Sequence, residues 1–339
     1  MIPIDKIIIN KSKYMTQISV IIPSYNSEKT IKKTIESVLN QSFSDLELIV
    51  INDGSKDSTL EIISNFQDSR IKIFSFENSG GNISRNRGLK YAAGKFVSFL
   101  DADDIWTADK LASQLQALQE NLGAKVAYSW TDSIDENDEI LLSGMHITVN
   151  GDVYEKLLVS NFLENGSNPL ILREAIIELG GFDESLNAAQ DWDMWLRLAC
   201  KFDFVCVPSV QILYRISPNS LSSNLARQEK ACLQVLKSAY QVRPLTDKNI
   251  WRLSLTNLYI YLTCKALQQP FNRYKGAVAA TFLWKYLLND SSRFYRVNLI
   301  LKLLFKIVVI FILPTALSTT LLTSIKTKAK KVKHSQICS

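Results

Sequence analysis

Between Ile18 and Trp130 the chain switches five times between short, continuous apolar runs and longer stretches with apolar residues at helical spacing. A run with no polar alternation has both faces buried, which is the mark of a strand inside a parallel sheet. The runs are Ile18–Pro23, Leu46–Asn52, Ile71–Phe76, Phe96–Leu100 and Val126–Trp130. Between them, Asn26 and Ser27 can cap a helix reaching Asn40, with Ile31, Ile35, Val38 and Leu39 on one face. Ser58-Thr59-Leu60-Glu61 is a capping box that opens a helix to Phe66. Asn82 can cap a helix ending at Gly94, a C′ glycine, and a helix from Ala108 carries Leu111, Leu115, Leu118 and Leu122. Alternation of this kind specifies an α/β sheet with helices on both faces.

Such sheets bind ligands beyond the carboxyl ends of their strands. That directs attention to Tyr25 and Asn26, to Asp53, and to Asp101–Asp104. After Trp130 the pattern changes. Residues 131–150 are polar and irregular apart from Ile140–Leu142, Gly180–Asp183 is a turn, and Asp191–Lys201 reads as a helix. Phe204–Pro208 and Ile212–Ile216 read as short strands, and from Leu225 helical spacing dominates.

The chain has 339 residues, 47% of them hydrophobic and 21% charged. That is room for two domains, or one with an appendage, around a sizeable core. The net charge of +6 is unevenly placed: from Ser291 onward there are nine Lys or Arg and no acid. The first 290 residues hold 30 basic against 33 acidic side chains. A slightly acidic body argues against nucleic-acid binding, and a basic tail suits an anionic surface. Five Cys without CxxC spacing and two His make a zinc site improbable and fit thiols kept reduced in cytosol. The apolar run Ile7–Ile9 is too short for a signal peptide, residues 1–16 read as an extension, and Met15 is an alternative start.

Four sites can carry chemistry. Asp101-Ala102-Asp103-Asp104 follows a strand directly, and two carboxylates one residue apart can reach one hard cation; the plainer reading is a solvated acidic loop. Asp53 closes the second strand and can accept from a ribose or base, or simply form an Asp-Gly turn with Gly54. Arg85 and Arg87 lie near a helix start that favours phosphate, or on a solvated helix face. Asp191 opens a helix beside two indoles, as a general base over a sugar platform of Trp192 and Trp195, or as a dipole-stabilised cap. No GxGxxG, Walker A or GxSxG string occurs, and Ser24–Lys29 lacks the glycines of a sugar nucleotidyltransferase loop.

Taken in order, six strings resemble glycosyltransferase family 2 over residues 17–225: Val20–Asn26, Ile49–Ser55, Ser84–Gly88, Phe99–Asp104, Gly180–Glu184 and Asp191–Trp195. The resemblance implies a GT-A fold, a Rossmann-like nucleotide-sugar-binding sheet with helices on both faces, and an inverting, metal-dependent transfer. Pro23, Tyr25, Asp53, Arg85 and Asp101 match positions that contact the nucleotide sugar. Asp101 and Asp103 match the DXD pair that holds Mn²⁺ or Mg²⁺. Asp191 matches the acid that deprotonates the acceptor, with Trp192 and Trp195 beside it as acceptor contacts. Two positions depart from the family pattern: Gln190 stands where Glu is frequent, and Tyr214-Arg215 is followed by Ile216-Ser217-Pro218 where a His is common.

The division that follows is an extension (1–16), a GT-A domain (17–225), a helical extension (226–290) and a basic, apolar C-terminal segment (291–339). Ile307–Ile325 is uncharged but contains Pro314 and six Ser or Thr, so it makes a poor spanning helix. An interfacial amphipathic helix followed by the basic tail Lys326–Lys333 is preferred; a true span and a helix packed on the protein are the alternatives. No QxxRW string follows the catalytic region, which speaks against a processive synthase. The expectation is a non-processive transferase acting on a lipid-linked or cell-surface glycan, peripheral on the cytoplasmic face of the plasma membrane. The rivals are transfer to a polyprenyl phosphate, and a non-catalytic module that binds nucleotide sugars or glycans.

Overall fold

The apolar runs become the centre of a single mixed sheet. The computed structural model describes residues 16–216, 224–244, 247–289 and 296–324. Residues 1–15 of the expected extension, Ser217-Pro218, and the basic tail from Lys326 lie outside them. In chain order the elements of the first part are β1 (Thr16–Ser24), α1 (Ile31–Leu39), β2 (Leu46–Asn52), α2 (Thr59–Ser64), β3 (Ile71–Ser75), α3 (Gly81–Tyr91) and β4 (Gly94–Phe99). They continue with β5 (Ile105–Trp106), α4 (Lys110–Glu120), β6 (Ala124–Ile134), β7 (Ile140–Ser143), α5 (Tyr154–Val159), β8 (Leu170–Leu172), α6 (Arg173–Glu178), α7 (Gln190–Ala199) and β9 (Asp203–Arg215). Four helices follow: α8 (Leu225–Val242), α9 (Lys248–Ala266), α10 (Arg273–Asn289) and α11 (Val297–Ile312).

The chain divides into two compact units. The first comprises residues 1–153, 162–185 and 197–215; the second comprises 154–161, 186–196 and 216–339. The first unit holds the whole sheet, in the order β3-β2-β1-β4-β8-β6-β9-β5, with β7 paired to β6. β1 to β4 are mutually parallel, and β8 runs antiparallel between β4 and β6. β4 and β6 therefore point the same way, and their carboxyl ends share one edge.

Ile18, Val20, Ile22, Leu48 and Val50 bury one sheet face under Ile31, Ile35 and Val38 of α1 and Leu111, Leu115 and Leu118 of α4. Each such side chain contributes about 1.5–3 kcal/mol when fully buried. On the other face α3 approaches β1 at Gly88, where a Cβ would lie 2.3 Å from Ile21 Cγ2.

Several local expectations are corrected by tertiary bonds. α1 starts at Ile31 with Thr30 as N-cap. Asn26 instead takes a left-handed conformation (φ 48°) and ties the β1 loop to the β2 loop, its Oδ1 accepting from Lys56 N–H (2.8 Å). Ser58 makes no side-chain cap; Asp57 Oδ1 accepts the Thr59 N–H (3.0 Å). Asn82 does not cap α3, whose N-cap is Gly80; its amide donates to Asp183 O (2.8 Å). Gly94 opens β4 rather than closing a helix, and its lack of a side chain lets β1 approach, since a Cβ there would meet Ser19 N at 2.6 Å. Leu122 lies beyond the α4 C-cap and is 82% exposed. The two short strands after Lys201 are one continuous strand, β9, with register shifts near Trp130 of its partner β6.

In the second unit α9 packs against α5, α8 and α10, and α10 against α11. Tyr154 Oη donates to Ala239 O (2.7 Å), and Asn257 Nδ2 to Val159 O (3.1 Å). α11 buries Leu303, Ile307 and Ile310 and meets α10 at Gly276, where a Cβ would lie 3.1 Å from Ile310 Cγ2. Its opposite side leaves Leu301, Leu304, Phe305, Val308 and Ile312 exposed. No described helix is long and apolar enough to cross a membrane.

Candidate active site

Parallel strands leave their last residues at one edge of the first unit, and the polar residues there converge. β1 ends at Ser24, and Tyr25 just beyond it is 49% exposed, an aromatic face open to a planar ligand. Pro23 is half-buried at the same strand end, in register with Ile51.

Asp53 follows β2 and is only 3% exposed. Its carboxylate accepts from Ser79 N–H (3.0 Å), Gly80 N–H (2.8 Å) and Arg87 Nη1 (3.3 Å). Arg87 is itself braced over the Phe76 ring, 4.4 Å from its centroid. Gly54 takes φ +73°, and a Cβ there would sit 2.9 Å from Asn78 N. Asp53 thus sits at the Asp-Gly turn, and its carboxylate is engaged by the 77–80 loop that leads into α3 and by Arg87. Arg87, read in the sequence as a phosphate-facing or solvated helix residue, is instead engaged by Asp53 and Phe76.

α3 carries Arg85, which is 6% exposed. Its Nη2 pairs with Asp101 Oδ1. Its Nε and Nη1 are buried with no hydrogen-bond partner among the described residues. An unpaired buried guanidinium edge costs heavily unless a ligand supplies acceptors, and phosphate oxygens match its fork. The Gly180–Glu184 string holds α3 in place. Asn86 Nδ2 donates to Phe182 O (2.9 Å) and Asn86 Oδ1 accepts from Phe182 N–H (2.8 Å). Gly181 (φ +77°) leaves no room for a Cβ, which would lie 2.6 Å from Asn86 Oδ1. The sequence showed a turn here but not its partner.

The acidic string after β4 splits into two functions. Asp104 is fully buried; it accepts from Ser167 Oγ (2.5 Å) and Arg215 N–H (2.9 Å). Burial, then the charges of Asp103 and Asp101, raise its pKa well above the carboxylate range. Arg215 also donates from Nε to Asp103 O (2.8 Å) and pairs with Asp138, so it anchors the loop from behind. The sequence offered Tyr214-Arg215 only as a pair of residues. Asp101 and Asp103 remain as a half-buried pair just beyond the end of β4. Burial and then the charge of Asp101 push the Asp103 carboxyl up to about 6. Two hard oxygen donors that repel each other fit Mg²⁺ or Mn²⁺, since either cation relieves the repulsion. Among the described residues no group of three or more His, Cys, Asp or Glu is placed to hold a metal. A two-carboxylate site leaves coordination positions for phosphate oxygens and water, as Mg²⁺ prefers.

Asp191 belongs to the second unit, in the first turn of α7. Ala189 just before that helix takes φ 55°, a strained conformation for a residue with a Cβ. Asn161 Nδ2 makes a long contact to Asp191 Oδ2 (3.5 Å). Lys265 and Tyr261 of α9 face the same region; Lys265 Nζ donates to Tyr261 Oη (3.0 Å). Burial pulls the Lys265 pKa down to about 8, with Cys232 and Asp191 acting in the opposite direction. Trp192 and Trp195 do not form the expected platform. They are 6% and 0% exposed, and Trp192 Nε1 donates to Leu157 O (2.8 Å). An indole buried on both faces has none left for a sugar ring, so these two are packing residues.

The model for the family described as "Glycosyltransferase like family 2" matches residues 19–266. Among curated proteins the chain is 34% identical over 227 residues to an Escherichia coli protein, UDP-Glc:alpha-D-GlcNAc-diphosphoundecaprenol beta-1,3-glucosyltransferase WfgD, covering 65% of this chain and 85% of that one. Among solved structures it is similar to Staphylococcus aureus TarS 1–349 in complex with UDP-GlcNAc, with TM-score 0.54 and 17% identity over 80% of this chain and 89% of that one. It is equally similar in TM-score, 0.54, to the mannosyltransferase PcManGT from Pyrobaculum calidifontis in complex with GDP-Man and Mn²⁺, with 19% identity over 82% of this chain and 77% of that one. At such identities the two structures speak for the fold alone, and that fold is the expected GT-A sheet with additional C-terminal helices.

Proposed function

The chain belongs to glycosyltransferase-like family 2 and is a glycosyltransferase of GT-A fold, and on that premise we propose a non-processive, inverting transfer of one sugar from a nucleotide-diphosphate donor to a hydroxyl of a lipid-linked or cell-surface glycan. The observation that carries the donor half is Arg85: a buried guanidinium with two unpartnered nitrogens, paired on its third to Asp101 at the strand-end edge. A diphosphate supplies the missing acceptors. The acceptor half draws on WfgD, whose name specifies a diphosphoundecaprenol-linked sugar.

In this reading Tyr25 stacks on the nucleobase, with Pro23 shaping the floor beside it. Asp53 holds the 77–80 loop against the nucleoside, and Arg85 binds the diphosphate. Asp101 and Asp103 hold Mn²⁺ or Mg²⁺, which when bound neutralises charge on the leaving diphosphate. Asp191 accepts the proton of the attacking hydroxyl, and displacement from the face opposite the diphosphate inverts the anomeric carbon.

The thermal stability of the full chain with Mn²⁺ and a panel of UDP- and GDP-sugars tests the donor half. One nucleotide sugar at 100 times its Kd should stabilise the protein by about 2.7 kcal/mol. A panel in which no nucleotide or nucleotide sugar shifts the melting curve would refute donor binding.

The C-terminal segment is assigned to an anionic membrane surface on the cytoplasmic face, where a lipid-linked acceptor presents its reacting end. The exposed side of α11 supports this, with Leu301, Leu304, Phe305 and Val308 beside the exposed Lys302 and Lys306. Basic residues near such a surface contribute about 1 kcal/mol each. The protein should therefore sediment with phosphatidylglycerol vesicles, and more weakly at about 0.5 M salt, roughly three times physiological ionic strength. Leu304→Ser with Phe305→Ser should weaken sedimentation further. Recovery entirely in the supernatant would remove the membrane from its partners.

A further inference from the structure

A second polar cluster stands at the same sheet edge, one strand over, and neither the family strings nor the diphosphate site accounts for it. In register, Ser98 of β4, Leu170 of β8 and Ala127 of β6 lie level across the sheet. Beyond that line β8 has not yet begun, and β4 and β6 run on past it. The turn of residues 163–168 fills the gap. Ser167 Oγ accepts the Asp101 N–H (3.0 Å) on the β4 side. On the β6 side Asn168 Oδ1 accepts the Ser129 N–H (2.9 Å) and Asn168 Nδ2 donates to Ser129 O (2.8 Å), and Asn165 Nδ2 donates to Thr131 Oγ1 (3.1 Å). Asn165, Ser167 and Asn168 are buried, so the turn is rigidly held.

The two ends of this turn face different partners. Gly166 lies against the Arg85–Asp101 pair, where a Cβ would be 3.6 Å from both Arg85 Nη2 and Asp101 Oδ2. Glu164, two residues earlier, takes a left-handed conformation (φ 70°) and turns its carboxyl to the β6–β7 hairpin, where Oε1 accepts the Met145 N–H (3.2 Å). A Cβ on Gly144 would lie 2.3 Å from Glu164 Oε2, so the carboxyl rests on bare backbone. His146, also left-handed (φ 47°), places Nε2 2.7 Å from Asp132 Oδ1. Its ring stacks on Trp130, centroids 4.9 Å apart. Trp130 Nε1 is buried with no hydrogen-bond partner among the described residues. Strained backbone at two residues, an orphan indole N–H and a half-buried acid are features that a ligand would repay.

We propose that Glu164, Asp132, His146 and Trp130 form the subsite for the hexose ring of the donor, the sugar to be transferred. The assignment rests on the donor reading above, because it takes the diphosphate to lie at Arg85 and Asp101. The sugar is attached to that diphosphate, and the turn that touches the pair at Gly166 carries Glu164 to the next position along the edge. The groups suit a pyranose: two carboxyl groups and an imidazole for vicinal hydroxyls, and an indole with a polar handle. Burial, with the charge of Asp132 adding to it, pushes the Glu164 carboxyl up to about 7; the Met145 N–H and His146 oppose the rise. Near neutrality it can therefore donate as well as accept. A pocket that hydrogen-bonds particular hydroxyls discriminates strongly against sugars that lack them or point them elsewhere.

The test is calorimetric binding of UDP and GDP, and of UDP-glucose, UDP-galactose, UDP-N-acetylglucosamine and GDP-mannose, each with Mn²⁺. The proteins are the wild type, Glu164→Gln, His146→Ala and Trp130→Phe. Glu164→Gln keeps the shape and the Met145 bond, and Trp130→Phe keeps the stack but removes the N–H. The expected result is unchanged affinity for the bare nucleotide and at least tenfold weaker binding of the preferred nucleotide sugar, with discrimination among sugars reduced. Nucleotide and nucleotide-sugar affinities falling together would mean a structural role and overturn the subsite. So would donor binding at wild-type strength in all three variants, including the case where only the KM for acceptor rises. A wild type that binds neither nucleotide nor nucleotide sugar overturns the donor reading itself, and the subsite with it.

Discussion

Asp103→Ala should lower turnover with the preferred nucleotide sugar by about 10³-fold or more, the scale of losing a group that stabilises developing charge. The carboxyl sits at the strand-end edge with Asp101, whose charge helps hold it up at about 6. A cation shared by the pair removes that repulsion, and without Asp103 a single carboxylate, already engaged by Arg85, is left to hold it. The stabilisation of the donor complex by Mn²⁺ should disappear in parallel. The fold should not suffer: an acid whose folded pKa lies above its ordinary 3.8 costs stability once both states are past that range, so removing it relieves a strain. The unliganded variant should melt at or above the wild-type temperature at pH 8, where the wild-type carboxylate is ionised. Undiminished turnover, with Mn²⁺ stabilisation intact, would take Asp103 out of the metal site.

Asp191→Asn should cost about 10²–10⁴ in kcat, the range for a positioned general base. The donor KM should change little, because an interaction made only in the transition state is lost. Asn keeps the size of the side chain and can retain the contact to Asn161, so a folding defect is not the expected cause. The experiment also separates two acceptor classes. A sugar hydroxyl must lose a proton as it attacks, whereas a polyprenyl phosphate arrives already ionised. Wild-type turnover in Asp191→Asn would favour the phosphate and remove Asp191 from its role.

How far the residues announced this arrangement varied with the range of the forces involved. The parallel strands were legible because a strand buried on both faces must be apolar throughout, and β2 is buried from Leu46 to Asn52. Helix starts were less so. Asn26, Ser58 and Asn82 have the chemistry of caps, but Asn26 and Asn82 spend it on the β2 loop and on Asp183, partners 30 and 101 residues away. Asn86 clamps Phe182 and Arg215 anchors the acidic loop over 96 and 112 residues, distances at which no local pattern exists. Trp192 and Trp195 misled for the same reason: an aromatic beside an acid has the same local sequence whether its face is open or covered.

The sequence alone pointed to Tyr25, Asp53, Asp101 and Asp103 at strand ends, because periodicity, a local property of the chain, marks the strands and ligands bind beyond their carboxyl ends; Arg85 was placed beside them only through the family resemblance. Only the tertiary structure decided what each charge does there. It turned Asp53 toward backbone amides, sank Asp104 behind Ser167 and Arg215, left two nitrogens of Arg85 without acceptors, and carried Glu164 beside the same edge. A carboxylate or a guanidinium acts through what lies within a few ångströms of it, and that neighbourhood is assembled from residues the chain keeps far apart.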